Sequence, residues 1–187
     1  MSQARYSIVI VPGHGNSGPD HWQSHLENSR PGSRRVIQKN WTRPIRWSWV
    51  NALERVLREV EAPVVLVGHS AGALTIVHWA ARSHPRVVGA LLVAPPDMQV
   101  SHAGFPPPWV MCLAGWWPVP LRRLPFRSMV VASSNDPMCS IERARSFANA
   151  WGSSFVDLGP AGHINVASGY GRWNEVNRLL ESLLEPP

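Results

Sequence analysis

Val64–Val65–Leu66–Val67–Gly68–His69–Ser70–Ala71–Gly72 is the stretch on which the reading of this chain turns. An apolar, β-branched run reads as a buried strand, breaks into Gly-x-Ser-x-Gly, and continues as Ala73–Leu74–Thr75–Ile76–Val77, which reads as a helix. A strand–turn–helix this sharp leaves no room for side chains two residues before and two after the serine, so glycine at 68 and 72 meets a steric demand. Such a nucleophile elbow holds Ser70 Oγ proud of the sheet. It also leaves the Ala71 N–H at a helix N-terminus, where it can bind an oxyanion.

Outward from the elbow, strands and helices alternate. Upstream, Tyr6–Val11 reads as a buried strand that ends in Pro12–Gly13–His14–Gly15–Asn16–Ser17–Gly18, a loop that lets backbone approach a ligand. A helix from Pro19, a weak strand over Arg35–Gln38 and an amphipathic helix from Arg46 to Val60 follow. Downstream come strands over Arg86–Val93, Ser128–Ala132 and Ser154–Leu158, with helices over Glu142–Trp151 and Tyr170–Leu184. Residues 98–125 lose all periodicity and carry Trp109, Trp116 and Trp117 among prolines, as a short lid over an apolar acyl pocket or a packed crossover. The alternation predicts an α/β fold, a mostly parallel six-stranded sheet flanked by helices, in one domain over residues 1–187. If the six strands take the order 2-1-3-4-5-6, the chain reverses between strands one and three, where such sheets bind ligands. His14 and Ser70 both fall at that crevice.

Composition narrows the function. The net charge is +6, but the basic residues are scattered and Lys39 is the only lysine, so no nucleic-acid stripe is expected. Cys112 and Cys139 cannot build a disulfide framework, and no apolar run is long enough to span a bilayer. With no leader recognisable at Met1–Arg5, a cytoplasmic protein without membrane attachment is expected.

A serine needs a base, and the base needs an orienting acid. After the elbow, His163 stands on a Gly-flanked loop directly behind the last strand. Among downstream carboxylates the glutamates fall on helices and Asp157 lies inside a strand. Asp136, in the turn Asn135–Asp136–Pro137, is the favoured acid and Asp97 the reserve. The second oxyanion donor is the N–H of His14, with Gly15 next. His14, His21 and His25 lack the glutamate of a His-Glu-x-x-His site, so no metal and no cofactor is expected.

Val11–Pro12–Gly13 with His21–Trp22, Gly68–His69–Ser70–Ala71–Gly72, Ser134–Asn135–Asp136–Pro137, and Gly162–His163–Ile164–Asn165 followed by Ser168–Gly169–Tyr170–Gly171–Arg172–Trp173 resemble the small α/β-hydrolases related to retinoblastoma-binding protein 9 and bacterial YdeN. The resemblance spans almost the whole chain in the same order. It implies a compact serine hydrolase of α/β-hydrolase fold without a large cap domain, with Ser70, Asp136 and His163 as triad. It implies small ester or aminoacyl-type substrates. The Leu-x-Cys-x-Glu motif associated with the family's name does not occur, so no pocket-protein partner is expected. The expected reaction is cleavage of a small carboxylic ester by acyl transfer to water. Thioesterase and peptidase chemistry use the same residues, and a non-catalytic binding module on this scaffold is the competing class.

Overall fold

A computed structural model describes residues 6–82, 85–100 and 107–185. The strands are β1 (Ser7–Val11), β2 (Arg34–Arg35), β3 (Val64–His69), β4 (Val87–Val93), β5 (Arg127–Ala132) and β6 (Ser154–Asp157). The helices are α1 (Trp22–Ser29), α2 (Arg46–Arg58), α3 (Ala71–Trp79), α4 (Pro108–Leu113), α5 (Ile141–Trp151) and α6 (Glu175–Leu184). The strands form one sheet in the order β2-β1-β3-β4-β5-β6, and all neighbours pair in parallel.

The sheet is wound on both faces, and the period of two along each strand divides the core. Val9, Val11, Leu66, Ala90, Leu92 and Val130 face one layer, with Leu53 and Leu57 of α2, Ile76 of α3 and Phe147 of α5. Ile8, Ile10, Val65, Val67, Leu91 and Val131 face the other, against Trp22 and Leu26 of α1 and Val176 and Leu180 of α6. Continuous apolar runs such as Val64–Val67 are therefore buried on both sides, as a central parallel strand requires.

Several boundaries differ from the sequence reading. β2 is only two residues long. The Val36 N–H still donates to Ile10 O at 2.9 Å, but Asn40 Oδ1 then accepts from the N–H groups of Thr42 and Arg43 and turns the chain away from the sheet. The last helix begins at Glu175 rather than Tyr170. Asn165 caps a separate turn of 3₁₀ helix over Val166–Ser168, which Gly169 ends in a left-handed conformation at φ 86°.

Between β4 and β5 the chain is less irregular than expected, since Pro107 and Pro108 open α4. Residues 101–106 and the side chain of Trp109 lie outside the described residues. Trp116 is fully buried. Its ring meets Trp49 edge-on at 5.8 Å and its Nε1–H donates to Pro44 O at 2.6 Å. That is core packing, with the indole N–H satisfied by a carbonyl. Trp117 is exposed. Among the described residues no helix is long and apolar enough to cross a membrane.

Candidate active site

β3 delivers Ser70 at the carboxyl edge of the sheet with φ 54° and ψ −126°. That conformation costs a residue other than glycine roughly 1–3 kcal/mol and persists only where the surroundings enforce it. They do: Ser70 N–H donates to Val93 O at 2.9 Å, and Ser70 O accepts from Ala73 N–H at 2.9 Å as α3 starts. A Cβ at Gly72 would strike the carbonyls of Val11 and Pro12, and one at Gly68 would lie 2.8 Å from Ala73 Cα. Gly72 lets α3 begin directly against the end of β1, and Gly68 lets it lie back on β3.

His163 reaches this serine from the turn after β6. Its Nε2 lies 2.9 Å from Ser70 Oγ, and its Nδ1 lies 2.9 Å from each carboxylate oxygen of Asp136. An ionised carboxylate can only accept, so Nδ1 carries the hydrogen and neutral Nε2 presents a lone pair to the serine hydroxyl. The Asp136 side chain is 3 % exposed, and its Oδ1 also accepts from Met138 N–H at 2.8 Å. The reserve acid is elsewhere: Asp97 pairs with Arg143 Nε at 3.2 Å, and its N–H donates to Met138 O at 2.9 Å.

The loop after β1 passes over the elbow. A Cβ at Gly13 would come within 2.9 Å of Ser70 Cβ, so His14 follows a residue in direct contact with the serine. The two oxyanion candidates differ. Gly15 N–H donates to Trp41 O at 3.0 Å and is committed there, while His14 Nε2–H donates to Thr42 O at 3.2 Å. Ala71 is the first residue of α3, so its N–H belongs to the unpaired first turn.

Of the histidines weighed as metal ligands, His14 and His21 are hydrogen-bonded elsewhere. His21 is the N-cap of α1, and its Nδ1 accepts from Gln23 N–H at 3.1 Å. Burial, then the charges of Arg35, His163 and His25, lower its pKa to about 4. No group of three or more metal-ligating side chains forms among the described residues. Buried Cys139 is no nucleophile, because burial and then the Asp97 and Asp136 carboxylates push its thiol up to about 12.

Gln23 escaped the sequence reading, as did the hydrogen bonds made by His69 and Trp22, which that reading placed only in packing roles. Gln23, fully buried, donates from Nε2 to Val67 O at 2.9 Å and accepts at Oε1 from Ser17 Oγ at 2.6 Å, tying α1 to β3 and to the loop after β1. His69 donates from Nε2 to His163 O at 2.9 Å, and Trp22 from Nε1 to Ile164 O at 2.9 Å. A glutamine and a histidine at positions that should be apolar were the available signals.

Solved structures share this architecture. A protein solved as a YdeN-like hydrolase from Pectobacterium atrosepticum superposes with a TM-score of 0.83 at 34% identity, covering 97% of this chain and 94% of its own. The ydeN gene product of Bacillus subtilis gives 0.77 at 18% identity, covering 95% and 98%. The B. subtilis carboxylesterase CesB gives 0.67 at 16%, covering 98% and 85%, a likeness of fold. No curated protein sequence matches. The profile of the serine hydrolase family matches residues 8–182. That match opens inside β1 and closes inside α6, taking in the elbow and both loops that meet it, and so the chain belongs to the serine hydrolase family.

Proposed function

We propose that this protein hydrolyses small carboxylic esters through an acyl-enzyme on Ser70. The observation that carries the reading is the unbroken hydrogen-bonded line from Ser70 Oγ through the His163 ring to Asp136. Ser70 Oγ attacks the ester carbonyl carbon while His163 Nε2 takes the hydroxyl proton. The resulting oxyanion is held by the N–H groups of Ala71 and His14; Gly15, committed to Trp41, is set aside. Collapse breaks the bond to the leaving alkoxide, which receives the proton from His163. Water then attacks the acyl-enzyme, His163 takes its proton, and the carboxylic acid leaves as that proton returns to Ser70. Asp136 keeps Nδ1 protonated and stabilises the imidazolium formed at each step.

Family membership supports hydrolysis, and an ester is the substrate that the family resemblance implies. The chain acts as one domain over residues 1–187, without metal or cofactor. Its two unpaired thiols suit a reducing, cytoplasmic setting. The burial of Trp116 favours a packed crossover over a lid for the described part of residues 98–125.

The test is labelling of the purified protein with a fluorophosphonate, with the adduct mapped by mass spectrometry, beside turnover of p-nitrophenyl esters of increasing acyl length. Labelling at Ser70 that is lost in Ser70→Ala, with ester turnover, supports the reading. Folded protein that neither labels nor turns over would make it a binding module instead. Faster turnover of matched thioesters or aminoacyl amides would reassign the substrate class.

A further inference from the structure

The turn that carries His163 is left-handed on both sides of it and strained on the far side. Gly162 lies at φ 56°, and Ile164, a fully buried β-branched residue, at φ 48°. A β-branched side chain is among the worst suited to the left-handed region, so such a turn reverts unless several contacts fix it.

Four side-chain contacts do so, each to a different backbone group. Ser133 Oγ accepts from Ala161 N–H at 2.9 Å and Asn135 Oδ1 from Gly162 N–H at 2.7 Å. These two come from the same loop as Asp136 and join acid and base. The other two come from outside that pair and grip the consecutive carbonyls of His163 and Ile164. His69 Nε2–H donates to the first and Trp22 Nε1–H to the second, both at 2.9 Å.

The donors are themselves held. Trp22 and His69 meet edge-to-face at 5.9 Å and 89°, and Trp173 braces Trp22 at 5.2 Å. Ring nitrogens at these carbonyls can only donate, which fixes the His69 tautomer, and burial keeps the ring neutral. The His69 and His163 rings lie 5.1 Å apart. His69 adjoins Ser70 in the chain, so the same residue that precedes the nucleophile holds the base's backbone.

We infer that His69 and Trp22 are positioning residues, whose ring N–H groups clamp the strained turn that aims His163 Nε2 at Ser70. The inference rests on His163 acting as the base of Ser70. Rotation of the His163–Ile164 peptide plane would break the His69 bond and turn the His163 Cα–Cβ vector, and loss of the Trp22 bond would release Ile164 from its left-handed conformation. A misplacement on the order of 1 Å can cost about 100-fold in rate.

The experiment compares wild type with His69→Phe, Trp22→Phe and His69→Gln. The first two keep a ring and delete the donor; the third restores an N–H at a similar reach. Readouts are kcat and KM on p-nitrophenyl acetate, the second-order rate of Ser70 phosphonylation, and near-ultraviolet circular dichroism with Tm to normalise to folded protein. The clamp predicts kcat and phosphonylation down roughly 10- to 100-fold in each phenylalanine variant, with KM within about threefold. His69→Gln recovers most of that loss even where its Tm stays low, which a purely structural role would not produce. Phenylalanine variants within about twofold of wild type, or a glutamine variant no better than phenylalanine, overturn the clamp alone. Wild type that neither labels nor turns over overturns the reading of Ser70 and the clamp together.

Discussion

The N–H of Gly15 donates to the carbonyl of Trp41 at 3.0 Å, so the loop after β1 is pinned to the stretch before α2 on one side and lies against Ser70 on the other. That bond commits the Gly15 amide, and the His14 N–H is the second oxyanion donor proposed above. His14→Pro, which deletes that N–H, is expected to lower kcat about 100- to 1,000-fold while circular dichroism stays native. Steady-state kinetics beside a fold check decide it.

Asp136 and Asp97 divide two roles that their sequence contexts make hard to separate. Asp136→Asn removes the acceptor that fixes the His163 tautomer and is expected to cost roughly 1,000- to 10,000-fold in kcat with KM little changed. Asp97→Asn breaks a pair with Arg143 and is expected to cost about 1 kcal/mol of stability or less. Parallel kinetics and urea melts on both variants check the assignment.

Gly72→Ala drives a methyl into the Val11 and Pro12 carbonyls, which are backbone and cannot swing aside. The expected cost is at least about 3 kcal/mol, at the upper end for overpacking. Loss of the folded fraction on expression, or a large fall in the urea midpoint, is the readout.

Trp116 and Trp117 are neighbours in sequence with opposite surroundings. Trp116→Ala empties a fully buried site and is expected to cost roughly 3–5 kcal/mol. Trp117→Ala, on an exposed side chain, should stay within about 0.5 kcal/mol. Denaturant melts distinguish them.

Stability should also depend on pH. Burial before any other cause brings His21 and His78 to about 4 from an ordinary 6.5, and takes His69 well below that value. Over this interval the unfolded chain binds more protons than the folded one, so stability falls as pH drops from 6.5 towards 4. His21 and His78 each account for up to roughly 3 kcal/mol of that loss. Urea midpoints measured from about pH 7.5 down to about pH 5 test this, and His78→Gln should flatten the slope.

Features set by neighbouring residues were legible in the sequence. Gly68–His69–Ser70–Ala71–Gly72 encodes its own turn, because the steric demand of the elbow falls on positions two apart from the serine. Alternation pointed to a parallel sheet, and the sheet takes the strand order on which the crevice reading was conditional. Ser70, Asp136 and His163, singled out by chain order, turn context and family resemblance, meet at its carboxyl edge. Features set by distant partners were not. Trp22 and Ile164 are 142 positions apart, and nothing local to either marks the hydrogen bond between them. The commitment of Gly15 to Trp41, the burial of Trp116 against Trp49 and the early end of β2 at the Asn40 turn are of the same kind. Each depends on a surface that exists only once the sheet has formed.

The close seating of α3 on β1 through Gly72 has an evolutionary consequence. Backbone touching backbone leaves no side chain at that contact whose exchange could relax it. Innovation in a lineage built on this chain must therefore leave that contact alone and act on the side chains around it. The machinery for breaking a bond and the means of choosing which molecule is broken are thus free to diverge at different speeds.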